Sequence, residues 1–228
     1  MEERDDRVTW PEVGMYVVGG VSGVVLGILF GLWMKSAVAA QSPFFWFVSR
    51  ASAIVAYLML WLSTAFGITL SSKGLGGRVS GALAYALHNV TSWLALGFSV
   101  VHGLTLIGDA SFPFTVPDVL VPFVSTYEPM LVGIGTLGLY LGIMATAAFY
   151  LRRRLGLKVW RTIHGLSYLM FALVTVHSVA LGSDTGTAVM KLLYVTAGAS
   201  VTLLTMFRVM AAKAGRSGHR PERKAIAA

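Results

Sequence analysis

The 228-residue chain contains no cysteine. Thiolate-held iron–sulfur clusters, covalent haem attachment through C-x-x-C-H and structural disulfides are thereby excluded. Charge is also scarce: 12% of residues are charged against 56% hydrophobic, and the mean hydropathy is +0.72. An ordinary soluble domain of this length is not so apolar. No Asp, Glu or Lys lies deep in any apolar run, so the usual charge carriers of a proton relay or a transporter are missing. No internal repeat, low-complexity tract or strand-following G-x-G-x-x-G fingerprint is present either.

What remains is a set of six apolar runs, roughly 14–34, 44–70, 80–107, 129–151, 159–182 and 189–210. Each is long enough to cross a hydrocarbon core of about 30 Å at 1.5 Å per residue. The connectors carry turn punctuation: QSP, SSKGLGGR, RRRLGLK and GSDTGT. The expected fold is an all-α integral membrane protein, a six-transmembrane-helix bundle. Residues 1–43 form an N-terminal segment with the first span, 44–210 the main domain, and 211–228 a basic tail expected to be disordered. AVAAQS at 37–42 resembles a signal-peptidase site, but the acidic MEERDDR start and the long apolar run favour a retained first span. The outward segment 108–128, rich in Phe, Val and Pro, is longer than a bundle needs and is expected over the outer end.

The net charge of +8 follows topology. Of the 18 Lys and Arg, all but Lys35, Arg50 and Lys191 fall at the N-terminus, in the 2–3 and 4–5 connectors, or in the tail. The positive-inside rule then places both termini in the cytoplasm and 108–128 outside. The basic face suits anionic lipid or an acidic cytosolic partner, and no nucleic-acid partner is expected.

Five histidines are present, and four of them sit in two spans: His88 and His102 in the third, His164 and His177 in the fifth. One intervening span makes these two parallel. Fourteen residues rise about 21 Å and thirteen about 19.5 Å, so His88 matches His164 in depth and His102 matches His177. Each level then offers one imidazole above and one below an iron, as a six-coordinate b-type haem requires. For a lone intramembrane histidine a helix–helix hydrogen bond is the plainer explanation; four at two matched depths favour haem. Angular phase supports half of this. At about 100° per residue His88 and His102 share a face, whereas His164 and His177 fall about 140° apart on an ideal helix. Helix tilt, a tightened turn or a shifted haem azimuth has to absorb that difference.

These residues resemble the ferric reductase-like transmembrane domain family, shared by ferric reductases, the membrane part of NADPH oxidases and the haem subunit of the methionine-sulfoxide reductase system. The likeness covers about residues 44–210. It is carried by SRASAIVAYLMLWLS, GRVSGALAYALHNVTSWLALGFSVVH and LRRRLGLKVWRTIHGLSYLMFALVTVHSVALGSD, with the H-x13-H and H-x12-H pairs as its specific part. The resemblance implies two stacked b haems that pass electrons outward, His88 and His164 holding the inner iron, His102 and His177 the outer. It also implies arginine contacts to haem propionates: Arg78 and Arg161 at the inner level, where positive-inside flanking is an equal explanation, and Arg50 at the outer. Met170 and Phe171, midway between the ligands of the fifth span, read as packing. Gly81, Gly97, Gly103, Gly165 and Gly182 suit either close haem approach or helix contact. NADPH oxidases carry a further histidine one turn after the outer third-span ligand, and Leu106 stands there in this chain.

The expected function is a di-haem b electron-transfer protein of a bacterial plasma membrane. It would take electrons from a cytoplasmic flavoprotein reductase or a membrane quinol and pass them to an extracytoplasmic redox protein or a ferric chelate. Any flavin or quinone would come from a partner, since no flavin or nicotinamide domain is visible. The alternative is a membrane-anchor subunit of a larger redox complex.

Overall fold

The computed structural model describes residues 44–72, 80–109 and 114–217. The first expected span, Arg78 and the end of the tail lie outside these. The described residues form α1 (Phe44–Ser71), α2 (Gly81–Ile107), the short α3 (Val116–Leu120), α4 (Pro129–Tyr150), the single turn α5 (Arg152–Leu155), α6 (Leu157–Gly165), α7 (Ser167–Leu181) and α8 (Ala188–Ser217). Among the described residues, five helical segments are long and apolar enough to cross a membrane: α1, α2, α4, α6 with α7 as one span, and α8. Helix is the form such sequences must take, because hydrocarbon offers no partner to an open backbone group. Hydroxyls within the spans follow the same rule and bond back one turn, as Thr91 does to the Leu87 carbonyl (2.7 Å) and Thr105 to Val101 (2.8 Å).

Packing is closest between α1 and α2, then between α4 and the α6–α7 span, with α8 lying on α1. Small side chains permit the first contact: Ser49, Ser52, Ala56, Ser63, Ala84, Thr91 and Ala95 are all buried. Glycines permit the second. A Cβ on Gly138 would meet Val174 at 2.5 Å, and one on Gly142 would meet the Met170 sulfur at 3.2 Å. The apolar core joins Tyr57, Leu60, Ile68, Ala95 and Phe171 to Ala197 and Val201 of α8. Side-chain bonds tie α8 down, among them Trp61 Nε1 to the Ser200 hydroxyl (2.8 Å) and the Tyr194 hydroxyl to the Ser178 carbonyl (3.1 Å). Large apolar residues such as Val189, Leu192, Leu203 and Met206 face outward, as a lipid-facing surface requires.

The fifth expected span is not one helix. α6 stops at Gly165, and the Leu166 amide turns back to the Ile163 carbonyl (3.0 Å), an i→i−3 bond, before α7 begins. Such a turn advances about 120° per residue instead of 100°. It supplies part of the rotation that an ideal helix lacks between His164 and His177. At the preceding corner Gly156 takes φ 79°, a left-handed value that favours glycine.

Beyond α2, the short helix α3 packs against the bundle end that holds His102. Val119 of α3 lies 3.0 Å from where a Cβ on Gly103 would sit, and Thr136 of α4 donates to the Val119 carbonyl (3.2 Å). The turn is held by a capping box in which the Thr115 hydroxyl and the Thr115 amide (2.7 Å) both donate to Asp118. These bonds hold the Asp118 carboxyl below its usual range. A carboxyl depressed in the folded state contributes stability above its unfolded value and loses it as pH falls through the lowered one. Thermal midpoints recorded from neutral to acid pH should therefore drop more steeply for the native chain than for Asp118→Asn. Parallel curves would show the cap to be energetically silent.

Candidate functional site

A cavity of about 820 Å³ runs through the bundle from Trp46, Arg50 and Asp184 at one end to Arg161 and Arg208 at the other. All four span histidines line it. His88 and His164 face each other with ring centroids 6.0 Å apart and planes at 84°; His102 and His177 do so at 6.4 Å and 74°. The expected pairing of depths is thus present at both levels, and α2 runs parallel to the α6–α7 span.

Three of the four rings are held from behind. His88 Nδ1 lies 2.9 Å from the Ser63 carbonyl, His102 Nδ1 3.0 Å from the Ser49 carbonyl, and His177 Nδ1 2.8 Å from the Leu131 carbonyl. A carbonyl only accepts, so the proton must sit on Nδ1 and the lone pair on Nε2. The Ser63 and Ser49 hydroxyls add contacts at 3.2 and 3.0 Å. No described protein group bonds Nε2 of any of the four. Outer-sphere bonds of this kind fix ring orientation in metal-ligating histidines.

The local sequence explains how a ring reaches a carbonyl inside a neighbouring helix. The residue one turn beyond each acceptor carbonyl is small: Gly67 after Ser63, Ala53 after Ser49, Gly135 after Leu131. A Cβ on Gly67 would stand 3.2 Å from the His88 ring, and one on Gly135 only 2.5 Å from the His177 ring. Sequence reasoning missed these residues, although Ser49 and Ser63 repeat the fourteen-residue spacing of His102 and His88 on the antiparallel neighbour. Of the glycines singled out from sequence, Gly81, Gly97 and Gly165 have nothing within 4 Å of an added Cβ. Gly103 meets Val119, and Gly182 meets the Ser178 carbonyl at 2.4 Å.

His164 differs from the other three. Its Nδ1 is buried without a partner, and so is Nε1 of Trp160, on which it stacks at 5.7 Å and 29°.

Arg50 pairs with Asp184 through two bonds, Nε to Oδ2 at 3.0 Å and Nη2 to Oδ1, and lies 4.0 Å over the Trp46 ring. Arg161 is exposed at the opposite mouth. Arg208, also missed, donates to the Tyr168 hydroxyl there (3.1 Å). Its position in the last turns of a span looked like ordinary topology charge, and only packing against α7 marks it out. Phe171 is buried in the core beside Tyr57, whereas Met170 and Leu106 line the cavity.

Two imidazole rings with centroids about 6 Å apart leave room for a metal between them, because a metal–imidazole bond is about 2 Å and the ring centroid lies about 1 Å beyond the nitrogen. Among the described residues no group of three or more His, Asp or Glu gathers around such a point. Two protein ligands per level fit a metal that brings its remaining ligands with it, as an iron porphyrin does.

These features define a multi-span helical membrane protein built around paired imidazoles. The chain belongs to the family described as Domain of unknown function (DUF8596), matched over residues 44–184. That stretch contains all four histidines, Arg50 and Asp184, while α8 with Arg208 lies beyond it. Comparison with curated proteins and with solved structures gives no match.

Gly135→Ala should force the His177 ring off its carbonyl and destabilise the fold by about 1–3 kcal/mol, the usual cost of overpacking. Gly81→Ala, with open space around it, should leave the thermal midpoint unchanged or raise it. Equal midpoints for the two variants would contradict the close approach.

Proposed function

We propose that the chain is a di-haem b electron conduit of the ferric reductase-like kind, with the expected six spans, cytoplasmic termini and a plasma-membrane location. The observation that carries this reading is the facing of two imidazole pairs whose ring centroids stand 6.0 and 6.4 Å apart, the separation that two rings ligating one iron would have. Haem supplies the one-electron chemistry when bound. The protein does the rest. His88 and His164 bind at the inner level, His102 and His177 at the outer, and the Ser63, Ser49 and Leu131 carbonyls orient three of the rings. Arg161 and Arg208 are placed to receive carboxylates at the inner mouth. Arg50 has N–H donors beyond those given to Asp184 and fills that role at the outer mouth. Met170 and its apolar neighbours keep water from the space between levels.

Electrons would enter at the Arg161 and Arg208 end from a cytoplasmic flavoprotein reductase or a membrane quinol. They would leave at the α3 end to an extracytoplasmic redox protein or a ferric chelate. Leu106, in the cavity wall where the oxidases carry a histidine, supports an acceptor other than oxygen.

Protein purified from haem-replete cells should show a reduced b-type absorption spectrum with about two haems per chain. His102→Ala should keep about one and lose the outer. Purification without haem would refute the proposal, and haem that no flavin reductase with NAD(P)H can reduce would favour the anchor-subunit alternative.

A further inference from the structure

Charge is divided unevenly between the two ends of the cavity. Among the described residues every carboxylate, Asp109, Asp118, Glu128 and Asp184, belongs to the His102–His177 end, where the Arg50 charge is already matched by Asp184. The His88–His164 end has no carboxylate among the described residues. Arg161 and Arg208 line the cavity there, backed by Lys158 and the Arg152–Arg154 run. Positive charge favours the reduced, less positive form of a nearby iron centre, and negative charge favours the oxidised form.

The hydrogen bonds to the rings are uneven in the same sense. Both outer rings give Nδ1–H to a carbonyl, which pushes electron density toward Nε2 and supports ferric iron. At the inner level only His88 does so, and the buried Nδ1 of His164 has no acceptor. His164 is therefore the weakest donor of the four ligands. Enclosure of the outer rings acts the other way by disfavouring a charged ferric core, but the net negative charge that Asp109, Asp118 and Glu128 leave at that end offsets it.

Building on the di-haem reading, we propose that these side chains pole the bundle, so that the His88–His164 site has the higher reduction potential and takes the first electron. Each site cycles between ferric and ferrous iron by one electron, with no bond made or broken in the protein. The singly reduced molecule then stores its electron at the cytoplasmic end. Onward transfer to the outer site is an uphill step, completed only when an acceptor withdraws the product electron. This makes Arg161, Arg208 and the unpartnered His164 residues that set potential, distinct from their part in binding.

The test is an anaerobic optical titration of the purified holoprotein, with dithionite as reductant and ferricyanide as oxidant. The native chain should give two one-electron waves, the first electron preferring one site by tenfold or more, 59 mV for a one-electron couple. His102→Ala should remove the lower-potential wave and retain the higher. Arg161→Gln with Arg208→Gln should move the higher wave down and leave the lower in place, with haem content measured alongside. A His102→Ala protein that keeps the lower wave would overturn the proposal, as would an arginine variant whose midpoints are unmoved. The absorption spectrum taken before titration separates this from the prior question, because a haem-free preparation defeats the conduit reading itself.

Discussion

The structure turns on one repeated contact, an imidazole N–H of one span donating to a backbone carbonyl inside the next. In hydrocarbon such a bond is hard to replace, since no water competes for either partner. It also has a chemical consequence that an ordinary interhelical hydrogen bond lacks. By taking the Nδ1 proton toward a carbonyl, Ser49, Ser63 and Leu131 leave the lone pair on Nε2 of three rings that line the cavity. A histidine that served only to join helices would have no reason to face a second imidazole across 6.0 or 6.4 Å. The close contact of α1 with α2, and the glycine face of α4 against α7, follow from bringing backbone carbonyls within reach of those rings.

Much of this is legible in the sequence, because membrane spans obey length and hydropathy more strictly than soluble helices do. The helices α1, α2 and α4 begin and end within a residue or two of the apolar runs. The pairing of His88 with His164 and His102 with His177 follows from rise per residue, which tilt and local distortion change little over four turns. Angular phase is more fragile. One tightened turn at Leu166 alters where His177 points, and nothing in HGLSY announces it beyond a glycine.

The residues that sequence reasoning overlooked share a property: they act through the backbone or through space left empty. Ser49 and Ser63 contribute carbonyls, and Gly67 and Gly135 contribute the absence of a Cβ. Their types carry no chemical flag, so they emerge only when the neighbouring helix is in place. Arg50 illustrates a different limit. Its isolation on the sparsely basic side marked it as needing a reason, yet its partner Asp184 lies 134 positions away, in the turn between α7 and α8.

The bundle therefore has two ends with one construction and different surroundings. Two anchored rings and a neutralised arginine at one end stand against one anchored ring, one unanchored ring and cationic flanks at the other. Low-temperature electron paramagnetic resonance of the oxidised protein tests the ligand sets most directly. If the proposed haems are bound, ring planes near perpendicular, at 84° and 74°, would load the two π-symmetry iron orbitals almost equally. The account predicts low-spin ferric signals of strongly axial character from both sites. A high-spin ferric signal from either level, or no ferric signal from haem-replete protein, would contradict it.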